Sequence, residues 1–442
     1  MEFLDNLVLH QSAEHIELLH FILLLVLFLF IPFISLVFGG TWFSIYFKRK
    51  LEKTGDKNFE VLAKEFISVT TINKSIGIIL GIVPVIALIL IYAQLLTKSN
   101  NSSLSYFLAS LIFILPALVL IYTYRYSLSF TQIFNSVNQM TDDKTQEEFL
   151  QLKTSAKKLS SKTGRNGLIF LFLSVWFLIC GLTEASNFGI NYNSFLESLF
   201  SFSVLIRLLF FVFFAIALSG AAILFSLYYW EGGNNKYSDN IKDFVRMHSV
   251  KITLYSALAL PLLLLLILTN IPSQFLSGSI FGFSVIGLVL LFISYHSLYS
   301  ICKVISSHAS GLVFYSLLFA MLSFILKDQL VMSNATKTHS IILSGEYDKY
   351  LADLKGETGI IAVSGQDIFN TRCSACHKFD VKLVGPPYKE TLPKYEGKLA
   401  QLVAFIKNPV KVNAAYPPMP NPGLKPNEVE AVAKYILETY KK

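Results

Sequence analysis

The chain has 442 residues, of which 53% are hydrophobic and only 15% are charged. Soluble globular domains carry about 25% charged residues, so this composition excludes an ordinary soluble protein and indicates a chain that lies largely in a membrane. The formal net charge is +8 at neutral pH, and we expect a membrane environment and no nucleic-acid partner.

Most of the apolar residues fall in runs that are long enough to cross a bilayer, which takes about 20 residues. We predict eight spans, at residues 16–47, 73–97, 103–130, 167–186, 195–230, 248–270, 278–300 and 308–332. Beyond residue 332 the sequence becomes polar and rich in Lys and Pro. The predicted fold is therefore all-α, with a transmembrane helical domain over 1–332 and a soluble segment after it.

The loops between the spans differ in charge. Several basic residues lie in each of the loops after the first, third and fifth spans, and the loop after the seventh carries Lys303. In the alternate loops, near 98–102, 187–194 and 271–277, the only basic residue is Lys98. Cytoplasmic loops carry the excess of Lys and Arg. The pattern predicts a bacterial cytoplasmic membrane protein with both termini on the periplasmic side.

Four histidines in or beside the predicted spans are candidate haem ligands: His20, His248, His296 and His308. A b-type haem needs two axial ligands at matching depth on facing helices. His296 with His308, or His248 with either of them, meets this condition on the cytoplasmic side, as does His20 with Met332 on the outer side. Histidines near span ends also cap helices or reach the interface, so both interpretations stay open.

Glu184 and Arg207 lie toward the outer ends of the fourth and fifth spans. Ionisable residues inside spans are costly and often functional. We expect a buried ion pair between them, with a proton route or a contact to a haem propionate or a quinone as alternatives.

The first hundred residues resemble the large subunit of cytochrome bd-type oxygen reductases, which carries a haem-ligating histidine early in its first span. His20 matches that position, and Thr54-Gly55-Asp56 matches a stretch of the basic loop that follows. The third span has no glutamate, and the family's large quinol-binding loop is missing between spans six and seven. The resemblance implies an oxygen reductase relative that receives electrons from an attached haem, or one that no longer reduces oxygen.

After a predicted linker, 333–360, the most informative motif is Cys373-Ser374-Ala375-Cys376-His377. Two thiols at this spacing form thioether bonds to one haem, and the adjacent histidine binds its iron. A zinc site needs two further ligands, but 361–442 contains no other Cys or His. A thioredoxin-like redox motif needs a βαβ setting, which this segment lacks. The motif therefore predicts one covalent haem c.

The residues around this motif predict a small helical domain over 361–442. A short helix near 366–372 leads into the motif, and an amphipathic helix over 426–440 presents Val429, Val432, Ala433 and Ile436 on one face. His377 is the only histidine after 339, and Met419 is the only methionine after 332. Elimination makes Met419 the second axial ligand, and a thioether opposite imidazole suits electron transfer.

This segment resembles class I cytochrome c. In that family an N-terminal helix with Gly and an aromatic residue crosses a C-terminal helix with its own aromatic residue, and Gly365, Phe369 and Tyr435 match. A Gly-Pro after the haem motif supplies a carbonyl to the proximal histidine, and Gly385-Pro386 matches. The distal methionine lies in a proline-rich loop, and Met419 matches.

The haem domain carries twelve basic and seven acidic side chains over 361–442. A positive surface attracts an acidic redox partner. We expect an electron-transfer protein of a respiratory chain, either a subunit of a larger oxidoreductase complex or an anchor that docks a cytochrome c domain on one. Electrons would pass between the haem c and an intramembrane haem b, a quinone or a partner subunit.

Overall fold

The computed structural model describes residues 10–71, 73–136, 143–189, 194–230, 237–303, 307–355, 364–413 and 415–441. Over these residues the regular secondary structure is entirely helical. The chain divides into two compact units, Met1–Glu346 and Tyr347–Lys442.

Over the residues that the structure describes, ten α-helices belong wholly or mainly to the first unit. They are α1 (Ala13–Thr54), α2 (Asn58–Thr70), α3 (Lys74–Leu95), α4 (Ser103–Ser136), α5 (Asp143–Ser186), α6 (Phe195–Leu199), α7 (Phe202–Tyr228), α8 (Asp239–Thr269), α9 (Gly278–Lys303) and α10 (Ser307–Leu354). Within the described residues, eight segments are long and apolar enough to cross a membrane: α1, α3, α4, α5, α6 together with α7, α8, α9 and α10. The predicted eight-span bundle is confirmed.

Local sequence sets the ends of α1. The Ser12 side chain accepts a hydrogen bond from the His15 N–H at 3.1 Å, which caps the first turn. At the other end Gly55 adopts a left-handed φ of 71°, and its N–H donates to the Leu51 carbonyl. A glycine in this conformation ends a helix without steric penalty, so the chain turns here into α2.

Two helices continue well beyond their apolar segments. The fourth span is predicted from residue 167, but α5 already begins at Asp143. The eighth is predicted to end at 332, but α10 continues to Leu354. The predicted linker, 333–360, is therefore helical as far as Leu354, and residues 356–363 lie outside the described residues.

Small residues bring the membrane helices into close contact. A Cβ atom on Gly39 of α1 would lie 2.4 Å from the Ala215 carbonyl oxygen of α7. On α4 and α5, the hydroxyls of Ser110 and Ser174 lie 3.0 Å apart and are buried. Close backbone approach and hydrogen bonds between hydroxyls are the usual means of packing helices in lipid, because lipid offers no hydrophobic drive for their association.

The second unit is a small helical domain around its own core. It contains α11 (Gly365–Ile368), a π-helical turn (Phe369–Cys373), α12 (Tyr388–Thr391), α13 (Leu399–Lys407) and α14 (Pro426–Thr439). The predicted apolar face of α14 is buried in this core. The fold class inferred from sequence is thereby confirmed in this unit too.

Candidate functional site

One turn of backbone carries both thiols and the imidazole of the C-x-x-C-H motif. Cys373 ends the π-helical turn, and its carbonyl accepts hydrogen bonds from the N–H groups of Cys376 at 3.1 Å and His377 at 2.9 Å. No disulfide joins the two cysteines, and burial raises the pKa of the Cys373 thiol. The three side chains therefore project from a single compact turn.

The segment Gly385-Pro386 holds the imidazole of His377. Its Nδ1 lies 3.5 Å from the Pro386 carbonyl oxygen, and its ring stacks on Tyr388 with centroids 4.9 Å apart. Burial lowers the pKa of His377, which favours the neutral imidazole that binds metals. An Nδ1–H that points at this carbonyl leaves Nε2 as the atom that can bind iron.

Gly385 is required by this arrangement. A Cβ atom at this position would lie 2.2 Å from Cε1 of His377, and the Gly385 N–H donates to the Cys376 carbonyl at 2.8 Å. The backbone thus passes directly against the imidazole, which only a residue without a side chain permits.

A cavity of about 370 Å³ lies beside the motif, and both His377 and Met419 line it. Its apolar walls come from several elements of the domain: Leu392, Leu402, Phe405, Ile406, Pro417 and Ile436. An apolar cavity with an imidazole and a thioether among its lining groups fits a haem with His–Met ligation. Cys373 and Cys376 would hold the porphyrin covalently, and His377 and Met419 its iron.

Two helices cross closely behind this cavity. A Cβ atom on Gly365 of α11 would lie 2.3 Å from the Ala431 carbonyl oxygen of α14, so the backbones are in direct contact. Phe369 packs on Tyr435 of α14 with ring centroids 5.8 Å apart. These are the contacts that the glycine and the two aromatic residues led us to expect.

The structure places the four histidines predicted as haem b ligands in different surroundings. His248 is held by its Phe244 carbonyl, with Nδ1 2.9 Å from the oxygen, and lies against the ring of Phe59. His296 and His308 are exposed, and His20 is half-buried. In the described part of the chain no ring contact joins any two of the four, and their role as haem b ligands stays a prediction.

The expected pair between Glu184 and Arg207 is wrong. The Arg207 guanidinium lies 3.5 Å from the Asp328 carboxylate on α10, which also pairs with Lys327 at 2.8 Å. Glu184 instead interacts with Ser198. Sequence reasoning overlooked Lys327 and Asp328 because they lie near the end of a predicted span, where charged residues usually reach water. Lys327 is in fact only 1% exposed, and its location near the end of a span does not predict this burial.

Together the fold and the site define a multi-pass membrane protein that ends in a c-type haem domain. The family model of cytochrome c matches residues 362–439. Cytochrome c-551 of Azotobacter vinelandii is 35% identical over 78 residues, which are 17% of this chain and 95% of that protein. Cytochrome c-551 of Pseudomonas aeruginosa is 37% identical over 71 residues, 15% of this chain and 68% of that protein. Through its C-terminal domain the chain belongs to the cytochrome c family.

These matches cover the haem domain, and they imply a covalent haem c. No solved structure matches the chain. The comparisons give no support to the resemblance between the membrane unit and the large subunit of cytochrome bd-type oxygen reductases.

Proposed function

We propose that this protein transfers electrons in a respiratory chain, between its haem c and a redox partner in or at the membrane. The partner is an intramembrane haem b, a quinone or another subunit of the complex. The observation that carries the proposal is one cavity, lined by both His377 and Met419, beside the two cysteines of the C-x-x-C-H motif.

The residues around this cavity favour electron transfer over ligand binding at the iron. His377 and Met419 would both hold the iron of a bound haem, which would supply one-electron exchange. With both residues as ligands the iron would have no position open for oxygen, and a thioether ligand would favour the reduced state. Pro386 keeps the imidazole oriented, and the apolar residues of the lining would offer a nonpolar surface to a porphyrin.

The distribution of loop charge supports a haem domain on the periplasmic side of a bacterial inner membrane. The loops after spans one, three, five and seven carry nearly all the basic residues of the short loops. The haem domain follows the eighth span, so an even number of crossings returns it to the side of the N-terminus. Covalent haem attachment takes place on that outer side, which agrees with the position of the C-x-x-C-H motif.

The charge of the haem domain supports an acidic redox partner. The excess of basic side chains over 361–442 amounts to 12 − 7 = +5. Lys394 and Lys411 line the haem cavity together with one acidic residue, Glu390. Positive charge close to the redox group speeds the approach of an acidic partner protein. High salt screens this attraction and slows the approach.

A pyridine haemochrome spectrum of the purified full-length protein tests the proposal. We expect one haem c per chain, which ascorbate reduces and ferricyanide oxidises. Additional haem b would place a further redox group in the membrane unit. A high-spin haem that binds oxygen or carbon monoxide would favour the oxygen reductase interpretation, and absence of haem c would overturn the proposal.

The variant Met419→Ala tests the distal ligand. Loss of the thioether should abolish the weak far-red absorption that a sulfur ligand gives ferric haem and lower the midpoint potential, because methionine ligation raises it. Met247→Ala is the control, since Met247 is an exposed methionine of α8. If the far-red band survives in Met419→Ala, another residue is the ligand.

A further inference from the structure

The membrane unit contains an ionic cluster within its helices, formed by Arg207 on α7 and by Lys327 and Asp328 on α10. Lys327 is 1% exposed, and the side chain of Arg207 is 13% exposed. Two cations share one carboxylate, so the cluster keeps one positive charge in excess. Charged side chains inside membrane spans cost free energy and mark functional sites. This cluster is therefore a candidate ligand-binding site.

A cavity of about 110 Å³ opens beside this cluster and is lined by all three of its members together with Gln329. Its remaining walls are largely apolar and come from α1, α5, α7, α8 and α10. Four of these wall residues are phenylalanines: Phe210, Phe211, Phe214 and Phe324. Sites for small ligands have this character, with apolar and aromatic walls and a few polar groups that fix the orientation of the ligand.

The aromatic wall suits a flat ring. Phe324 meets Phe210 with centroids 5.5 Å apart and Phe214 with centroids 6.1 Å apart, so three rings from α7 and α10 form one cluster. The cavity is too small for a porphyrin but has the size of a single six-membered ring with substituents. A longer isoprenoid tail would extend from it into lipid.

The polar groups of the cluster suit both forms of such a ring. The ammonium of Lys327 and the guanidinium of Arg207 can donate hydrogen bonds to a carbonyl oxygen, and the Asp328 carboxylate can accept one from a hydroxyl. The hydroxyls of Thr183 and Ser186, which also line the cavity, already donate to the carbonyls of Ile179 and Leu182. They therefore remain available only as acceptors.

The cavity lies toward one side of the bundle. Ser186 ends α5, Ile267 lies two residues before the end of α8, and Arg207 lies in the second turn of α7. Spans that alternate in direction bring these three ends to the same side, from which α10 also continues toward the second unit. By loop charge this is the outer side, on which we place the haem domain.

We propose that this cavity binds the headgroup of a lipid-soluble quinone, with Lys327 and Arg207 as donors to one carbonyl oxygen and the phenylalanine cluster against the ring. The site gives the redox partner of the proposed function a chemical class, and to that extent it rests on that function. The binding itself follows from the cavity, its charges and its position among the spans.

Equilibrium binding of decylubiquinone to the full-length protein in detergent tests the site. We expect about one bound quinone per chain. Lys327→Met and Arg207→Met should each weaken binding by about tenfold or more, because each removes a charged donor. Leu182→Trp should weaken it as well, since it fills the cavity from half-buried Leu182 and leaves the charges intact.

Lys48→Met is the matched control. Lys48 is also a buried lysine of a membrane helix, but it donates to the Ser160 hydroxyl at 2.8 Å and lies outside this cavity. Its substitution should leave quinone affinity unchanged. Thermal unfolding and haem content of every variant show whether it has folded. If the charge variants fail to fold, Leu182→Trp still tests the site.

Three results would overturn the site: no binding by the wild-type chain, unchanged affinity in all cavity variants, or competitive displacement of the quinone by phosphatidylglycerol, which would make it a phospholipid site. Reduction of the haem by ascorbate is measured on the same samples. A chain with a reducible haem c but no quinone binding contradicts this inference alone, whereas a chain without a reducible haem c contradicts the proposed function.

Discussion

At the scale of single residues, the contact between Gly385 and His377 is the tightest constraint on the haem site. Gly385→Ala puts a methyl group where only 2.2 Å separates the new Cβ from the imidazole. We expect the domain to lose about 1–3 kcal/mol of stability and the protein to carry less haem c per chain. Thermal unfolding and haemochrome spectra of the full-length protein measure both effects.

Gly345→Ala is the control for this substitution, because a Cβ at Gly345 on α10 meets no atom within 4 Å. It should leave the haem content unchanged. The unfolding temperature should stay the same or rise slightly, since alanine has a higher helix propensity than glycine. Equal haem content in wild type and Gly385→Ala would show that the imidazole tolerates a shifted backbone.

Acid stability of the haem domain depends on Glu396. Hydrogen bonds from Tyr440 and Lys441, whose ammonium lies 3.2 Å away, lower the pKa of this carboxyl from its ordinary 4.5. The stabilisation is present above the unfolded pKa and is lost as the pH falls through the lower folded pKa. Glu396→Gln should therefore destabilise the domain at neutral pH and reduce its further loss of stability in acid.

The far-red band of the ferric haem follows this unfolding specifically in the second unit. Glu438→Gln is the control, since Glu438 is an exposed carboxylate of α14, two residues before Tyr440. An unfolding profile of Glu396→Gln that matches wild type from neutral pH to pH 3 would exclude a role for the Glu396 pair.

The candidate haem ligands and the partner of Arg207 differ in how far the sequence alone reveals them. The haem motif, Pro386 and Met419 are recognisable because spacing and the scarcity of His and Met identify them before any fold is known. The partner of Arg207 is not recognisable in this way, because Asp328 lies far along the chain on another helix. Only the packing of α10 against α7 decides that contact.

At the scale of elements, the crossing of α11 and α14 positions the haem motif. Gly365→Val should separate these helices, because its Cβ would lie 2.3 Å from the Ala431 carbonyl oxygen and its branches would extend further. We expect a loss of about 3 kcal/mol or more and a haem domain that unfolds at lower temperature. Far-red absorption during heating of the full-length protein measures this.

Gly397→Ala is a useful comparison, because Gly397 has a positive φ of 69° and open space around it. It should cost about 1 kcal/mol through backbone strain alone. If Gly365→Val were no more destabilising than Gly397→Ala, the close approach of the two helices would not matter for stability.

Hydropathy predicted the number and order of the membrane helices but not their ends. It detects the segment that contacts lipid, and a helix continues wherever its backbone hydrogen bonds are satisfied. The polar start of α5 and the polar end of α10 are helical although neither is apolar enough to span. The short α2, which follows the basic loop after α1, was missed for the same reason.

At the scale of the whole molecule, the proposed function requires the haem domain and the loop after α3 to lie on the same side. Single cysteines test this in a Cys302→Ser background, which removes the exposed native thiol. An impermeant maleimide should label Asn100→Cys in intact spheroplasts and should label Thr54→Cys only after lysis. Both positions are exposed, and neither substitution changes the loop charge that sets the orientation.

The reverse labelling pattern would place the C-x-x-C-H motif in the cytoplasm and contradict periplasmic haem attachment. Labelling of both positions in intact spheroplasts would place Thr54 and Asn100 on the same side, which requires an even number of crossings between them, and would overturn the predicted topology. With the expected pattern, the quinone cavity lies toward the periplasmic side, because α5 and α8 end on the side of Asn100. Haem c and the quinone headgroup would then share one side of the membrane, so electron transfer between them need not cross the full thickness of the bilayer.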